Sequence, residues 1–253
     1  MTGLLDLTSP FLSTLDQPLA ALLPAAGRLA VWGLVAASLS MALYALLSPQ
    51  RRLRGVKAAA AEARQALDDH EGGVAEAMPL IGRMFRSALA QLGLVLGPAV
   101  LASLPVLFMI VWLSGTYGHF LPDSITAVDL RVEPSGLAAR WLPEEGGEVG
   151  NPPSTAPRIQ VIDAADQVIE TVEIDAAVTS LHKRQWWNSL IANPLGYLPA
   201  EGVLERIDID LPRQEVLSLG SDWLPGWMRG WEAVFFAALL AASLAIKFIF
   251  RLV

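Results

Sequence analysis

Three long apolar blocks and one stretch of strict alternation divide the chain. Leu29 to Leu47 runs uncharged as LAVWGLVAASLSMALYALL. At about 1.5 Å rise per residue a helix of this length reaches roughly 28 Å, enough for a hydrocarbon core of about 30 Å. A cleaved export signal carries its basic residues ahead of the apolar core. Here Arg51, Arg52, Arg54 and Lys57 follow it, so the block reads as a retained span. Leu92 to Ser114 is also long enough to cross, with Pro98 and Pro105 as candidate kinks. The third block, Ala233 to Ile246, is short, but Lys247 can snorkel and Phe248, Ile249 and Phe250 extend it, so it too reads as a span.

Between the first two spans, Leu53, Val56, Ala60, Ala63 and Leu67 recur at helical spacing, and Gly72-Gly73 breaks the run. Val74, Ala77, Ile81, Met84 and Phe85 make a second stripe, with Pro79 near its start. The expected element is a helical hairpin whose contact face includes Leu53, Val56, Leu67, Met84 and Phe85. Periodicity alone leaves open whether it docks on a partner or merely joins the spans. Short loops rich in Lys and Arg stay cytoplasmic. This segment holds seven such residues (Arg51, Arg52, Arg54, Lys57, Arg64, Arg83 and Arg86), so the N-terminus is expected outside and the C-terminus inside.

Ahead of the first span, leucines interleave with Thr, Ser and Asp from Leu4 to Leu23, which predicts an outer amphipathic segment interrupted by Pro10 and Pro18. From about Phe120 to Ser221 the period changes to two. Ile125 to Val132, Arg158 to Asp163, Val168 to Ile174 and Val203 to Leu211 alternate, with Ile207, Ile209 and Leu211 on one face. Ala164 to Gln167 fits a hairpin turn and Glu144 to Pro157 a loop. His182 to Leu190 reads as a short helix, with Trp186 and Trp187 placed in a core or an interface. Trp223, Trp227 and Trp231 fall four apart and predict an interfacial aromatic belt.

The fold class expected is therefore an α-helical three-span membrane core with a cytoplasmic helical hairpin and an exported, sandwich-like β-rich domain. The divisions are an outer interfacial segment (1–27), a first span (28–47), the hairpin (48–87) and a second span (88–117). The β domain (118–222) and an aromatic segment with the third span (223–253) complete the chain.

Composition narrows the chemistry. Hydrophobic residues make up 53% and charged residues 17% of 253 positions, too apolar for an ordinary soluble enzyme. A net charge of −7 argues against nucleic acid as a partner. With no cysteine and three scattered histidines, neither a metal site nor a cofactor is expected. No phosphate loop, dinucleotide fingerprint or nucleophile motif is present, and the chain reads as a non-enzyme. Asp208 and Asp210 belong to the solvent face of a strand, and Asp68, Asp69, His70 and Glu71 to a solvated turn. Arg28, at the outer end of the first span, either snorkels to the headgroups or lines a polar groove with Ser38, Ser40, Gln91 and Ser103.

The layout resembles the YidC/Oxa/Alb membrane-protein insertase superfamily, most closely its reduced three-span members. The resemblance covers Leu4 to about Tyr117 and, more weakly, Trp231 to Val253. It rests on Leu47-Ser48-Pro49-Gln50-Arg51-Arg52-Leu53-Arg54-Gly55-Val56-Lys57 at the basic start of the hairpin. Met78-Pro79-Leu80-Ile81-Gly82-Arg83-Met84-Phe85 matches its return helix, and Leu104-Pro105-Val106-Leu107-Phe108 lies in the following span. It implies a groove that receives a hydrophobic client and eases its insertion. Two departures stand out: the β-like domain lies between the second and third spans, and the family's groove arginine would lie deeper in the first span than Arg28. The expected partners are the lipid bilayer of a bacterial inner membrane and a hydrophobic client or partner membrane protein. The alternative is an accessory or scaffold subunit whose β domain binds a periplasmic protein.

Overall fold

A computed structural model of the chain describes residues 3–69, 73–122, 128–143, 156–190, 193–217 and 225–250, without the side chains of 50, 51, 63 and 74–77. These fall into two compact units. One comprises Met1–Ala30 and Phe108–Phe235, the other Val31–Leu107 and Phe236–Val253.

After a single 3-10 turn at Leu4–Asp6, α1 covers Ser9–Leu22. Pro10 sits in its first turn, where no helical donor is lost, so it starts the helix rather than interrupting it. Pro18 is inside the helix. Leu12 and Asp16 are buried, while Phe11, Leu15 and Leu22 are exposed. Helix α2 is Ala25–Leu47 and α3 is Gln50–Asp68. The hairpin's return helix and the second span are one continuous element, α4, of 44 residues from Val74–Tyr117. The division drawn at residue 87 therefore falls inside a helix. Pro79 stands in its second turn, and the helix runs on through Pro98 and Pro105 as well. The last elements are the short α5 (Gly226–Arg229) and α6 (Trp231–Phe250). Three helical stretches, Ala25–Leu47, Met78–Tyr117 and Trp231–Phe250, are long and apolar enough to cross a membrane.

In the second unit small residues turn inward. Gly33, Ala36, Ala37, Ala102 and Ala242 are buried. Leu34, Leu92, Leu96, Leu104 and Leu240 are exposed. That distribution suits helices in lipid, where small residues allow close approach and leucine gains nothing by leaving the surface.

The other unit contains two three-stranded antiparallel sheets. Strands β1 (Asp129–Glu133), β6 (Arg206–Asp210) and β5 (Ser180–His182) form one, in that order. Strands β2 (Ala138–Leu142), β3 (Arg158–Ile162) and β4 (Val168–Glu173) form the other. Alternation sets the register: Leu130 faces Ile209 and Val132 faces Ile207, all toward the core, while Arg131 lies opposite Asp208 outside it. Ile159 and Val161 of β3 share one cluster with Leu181, Ile207 and Ile209 of the first sheet. The β3–β4 turn is closed by Asp163, whose Oδ1 accepts the backbone N–H groups of Ala165 and Gln167 at 2.8 and 2.9 Å. Residues 125–127 of the first alternating run and 144–155 of the loop lie outside the described residues.

Two expected local elements differ. His182 to Leu190 is not a helix but the end of β5, a turn and a 3-10 segment at Asn188–Leu190. Lys183 keeps its backbone in sheet-like pairing, donating to Glu205 O at 3.1 Å. The Asn188 side chain then closes the loop, accepting from Gln185 N at 2.7 Å and donating to Lys183 O at 2.8 Å. Asn offers the backbone an alternative to helix, and here it wins. The turn leaves Trp186 89% and Trp187 46% exposed, so neither is a core residue.

Candidate functional site

A buried polar network lies where α1 meets the first residues of α2 and the last turns of α4. On α1, Ser13 and Asp16 are three apart and so share a helical face. Asp16 Oδ2 accepts from Arg28 Nη1 at 2.7 Å and from Tyr117 Oη at 2.8 Å. The Arg28 guanidinium also stands 5.1 Å from the Tyr117 ring centroid, within cation–π range. Ser13 Oγ accepts from Trp112 Nε1 at 2.9 Å, and the Trp112 and Tyr117 rings meet edge to face at 6.2 Å. Asp16 and Tyr117 are buried, and the Arg28 side chain is 20% exposed. Beside an apolar helix an unpaired charge is costly, and here each group is partnered. In the 3-10 turn ahead of α1, buried Asp6 accepts the backbone N–H of Asn193, tying this segment to the β domain.

Next to this network is a cavity of about 670 Å³. Its walls come from Leu5, Asp6, Ser9 and Ser13, from Ile110 to Thr116 of α4, from His119, and from the segment Ala176 to Ser180 with Pro194. Gly118 shapes the corner that brings His119 to the wall. It closes α4 by donating to Ser114 O at 3.1 Å, and a Cβ at this position would run into that same carbonyl. The chain then pairs with the segment after β6, as Gln214 N donates to Gly118 O and Phe120 N to Pro212 O. Burial raises the Asp6 carboxyl above its ordinary pKa, against the lowering effect of its backbone hydrogen bonds. Burial lowers the His119 imidazole, helped by Arg213 and opposed by Glu232 and Asp210. Among the described residues no group of three or more His, Asp or Glu is placed to hold a metal ion.

Of the groove candidates, Arg28 alone belongs to this unit, where its guanidinium is paired with Asp16. In the other unit Ser38 and Ser103 are exposed, and Ser40 and Gln91 are half-buried. The Ser103 hydroxyl donates to Val100 O of its own helix at 2.8 Å, so its polarity is satisfied locally. On the hairpin stripe Leu53 is buried, Val56, Leu67 and Met84 are half-buried and Phe85 is 64% exposed. The aromatic belt is not one helical face. Trp227 is exposed on α5, the extended Gly230 separates it from α6, and Trp231 is buried against Phe235 with ring centroids 6.1 Å apart. Trp223 lies outside the described residues.

Sequence reasoning noticed Asp16 only as a charge ahead of the first span and assigned Tyr117 no role. The available signal was a lone carboxylate in a leucine- and alanine-rich helix, which needs a partner wherever it is buried. No protein-family model, curated protein or solved structure matches the chain.

Proposed function

We propose that the chain is a non-catalytic scaffold of a bacterial inner membrane, anchored by its three apolar helices, whose β domain engages a partner protein on the periplasmic side. The observation that carries this reading is the adjacent pair Trp186 and Trp187, 89% and 46% exposed on a turn held shut by Asn188. Tryptophan is the side chain most enriched at interface hot spots, and a rigid turn presents it at little entropic cost. The engaged state of Arg28 also favours a structural core over an open polar path.

The test is a photoreactive residue in place of Trp187 in the full-length chain, irradiated in cells. The expected result is one adduct of fixed mass that disappears in Trp186→Ser. Absence of any protein adduct overturns the reading.

A second reading is an insertase-like factor, favoured by the order of elements: an outer amphipathic helix, an apolar helix, a basic helical segment and a return helix continuous with the next apolar helix. Photoreactive residues at Ser38 or Ser103 that capture newly made membrane proteins of varied mass would support it over the scaffold.

A further inference from the structure

We propose that the cavity beside α1 and the last turns of α4 is a lipid site that takes one acyl chain from the adjacent bilayer leaflet. The inference rests on the membrane-embedded part of the reading above and adds a ligand to it. Ile110, Val111 and Thr116 lie in the last two turns of a helix long and apolar enough to cross a membrane. On the membrane reading, this end of the helix and the cavity beside it lie at the bilayer boundary. The neighbouring helix α1 exposes Phe11, Leu15 and Leu22, as a helix resting at that boundary does. A volume of about 670 Å³ lies within the range of small-molecule sites.

The lining selects an uncharged chain. Apolar walls come from Leu5, Ile110, Val111, Val178 and Pro194, and the polar groups between them are hydroxyls with Asp6 and His119, of which Ser13 is already occupied by Trp112. The nearby charges of Asp16 and Arg28 are spent on each other. Asp6 is engaged by the backbone N–H of Asn193. A polypeptide segment would bring an N–H and a C=O with every residue, and Asp6, Ser13 and Ser180 of the wall are already engaged within the protein. An acyl chain brings none until its ester.

The experiment uses the full chain in phosphatidylcholine vesicles containing some phosphatidylcholine with a diazirine in mid-chain, and maps adducts by mass spectrometry. Adducts are expected on exposed helix positions such as Leu92 and Leu96, and also on the cavity wall at Val111, Thr116 and Val178. Filling the cavity with Val178→Trp is expected to reduce the wall adducts by about tenfold, leaving those on Leu92 and Leu96 unchanged. Thr179→Trp, at an exposed wall position that tolerates bulk, provides the same test should Val178→Trp fail to fold. Labelling of Leu92 and Leu96 with no wall adducts, or with wall adducts insensitive to both variants, overturns the lipid site. Displacement of the wall adducts by an apolar peptide added to the vesicles assigns the cavity to polypeptide and overturns it too. No labelling at Leu92 and Leu96 instead overturns the membrane reading on which it rests.

Discussion

The β domain and the apolar helices bury opposite kinds of residue. In the domain Ile159, Val161, Leu181 and Ile207 are at most 2% exposed, and charged residues such as Asp210 face outward. In the helical unit the buried positions include Ala36, Ala37 and Ala102 alongside Trp32 and Leu53, while Leu96, Leu101 and Leu244 stand in the open. One rule produces both patterns. Apolar side chains leave water, and in a domain surrounded by water the only refuge is the core. Where the surroundings are lipid the surface serves equally well, and interior positions go to residues small enough for helices to approach.

The sharpest way to break that contrast is to shorten one large apolar residue on each side of it. Ile207→Ala is expected to cost the β domain about 4 kcal/mol, read from denaturant unfolding of the full chain. Leu96→Ala, which removes an exposed leucine, is expected to cost less than about 0.5 kcal/mol. Equal losses would mean that both residues see the same surroundings.

Asp16→Ala strands Arg28, and the unit holding both is expected to lose on the order of 3 kcal/mol. The double variant Asp16→Ala/Arg28→Met should recover most of it, because no unpaired charge remains. Thermal melts in detergent check both. Ala36→Leu forces bulk into a helix position that is fully buried. It is expected to cost about 2 kcal/mol in the same assay, whereas leucine at an exposed site on that helix should be neutral.

The pH response is smaller and belongs to the unit carrying the β domain. Burial lowers both His119 and His182 below their ordinary value of 6.5. The stability tied to their neutral forms is therefore complete above that value and is lost as pH falls through the lowered one. Asp6, raised by burial, acts with the opposite sign: its contribution is present below its ordinary value of 3.8 and is lost as pH rises through the raised one. The expected profile is a melting temperature that falls on the acid side of neutrality, less steeply in His119→Gln/His182→Gln.

The sequence displays these two surroundings more clearly than it displays the contacts that hold them. Uncharged length was enough to find the apolar helices, and the alternation of Ile207 and Ile209 with Asp208 and Asp210 was enough to orient β6. The hairpin at Asp163 was legible because its turn chemistry is local. The Asp16–Tyr117 bond joins residues 101 apart, and spacing carries no sign of it. The exposure of Trp186 and Trp187 removes the core half of the core-or-interface reading, for a related reason. An apolar ring predicts burial only when nothing else fixes the backbone, and here the Asn188 side chain fixes it in an exposed turn. A serine hydroxyl in an apolar helix is not by itself a sign of polar surroundings. A helix satisfies such a hydroxyl from its own carbonyls, as Ser103 shows.

The chain has no cysteine, so a single introduced thiol reports on its own position. Position 186 is 89% exposed and position 96 is 56% exposed, so protein packing shields neither. Full-length Trp186→Cys and Leu96→Cys, each in native membranes, should be treated with a water-soluble maleimide before and after dissolution in sodium dodecyl sulfate. The expected result is rapid modification at position 186 in the intact membrane and modification at position 96 only after the detergent. Equal rates at both positions before the detergent would contradict lipid as the surroundings of the apolar helices.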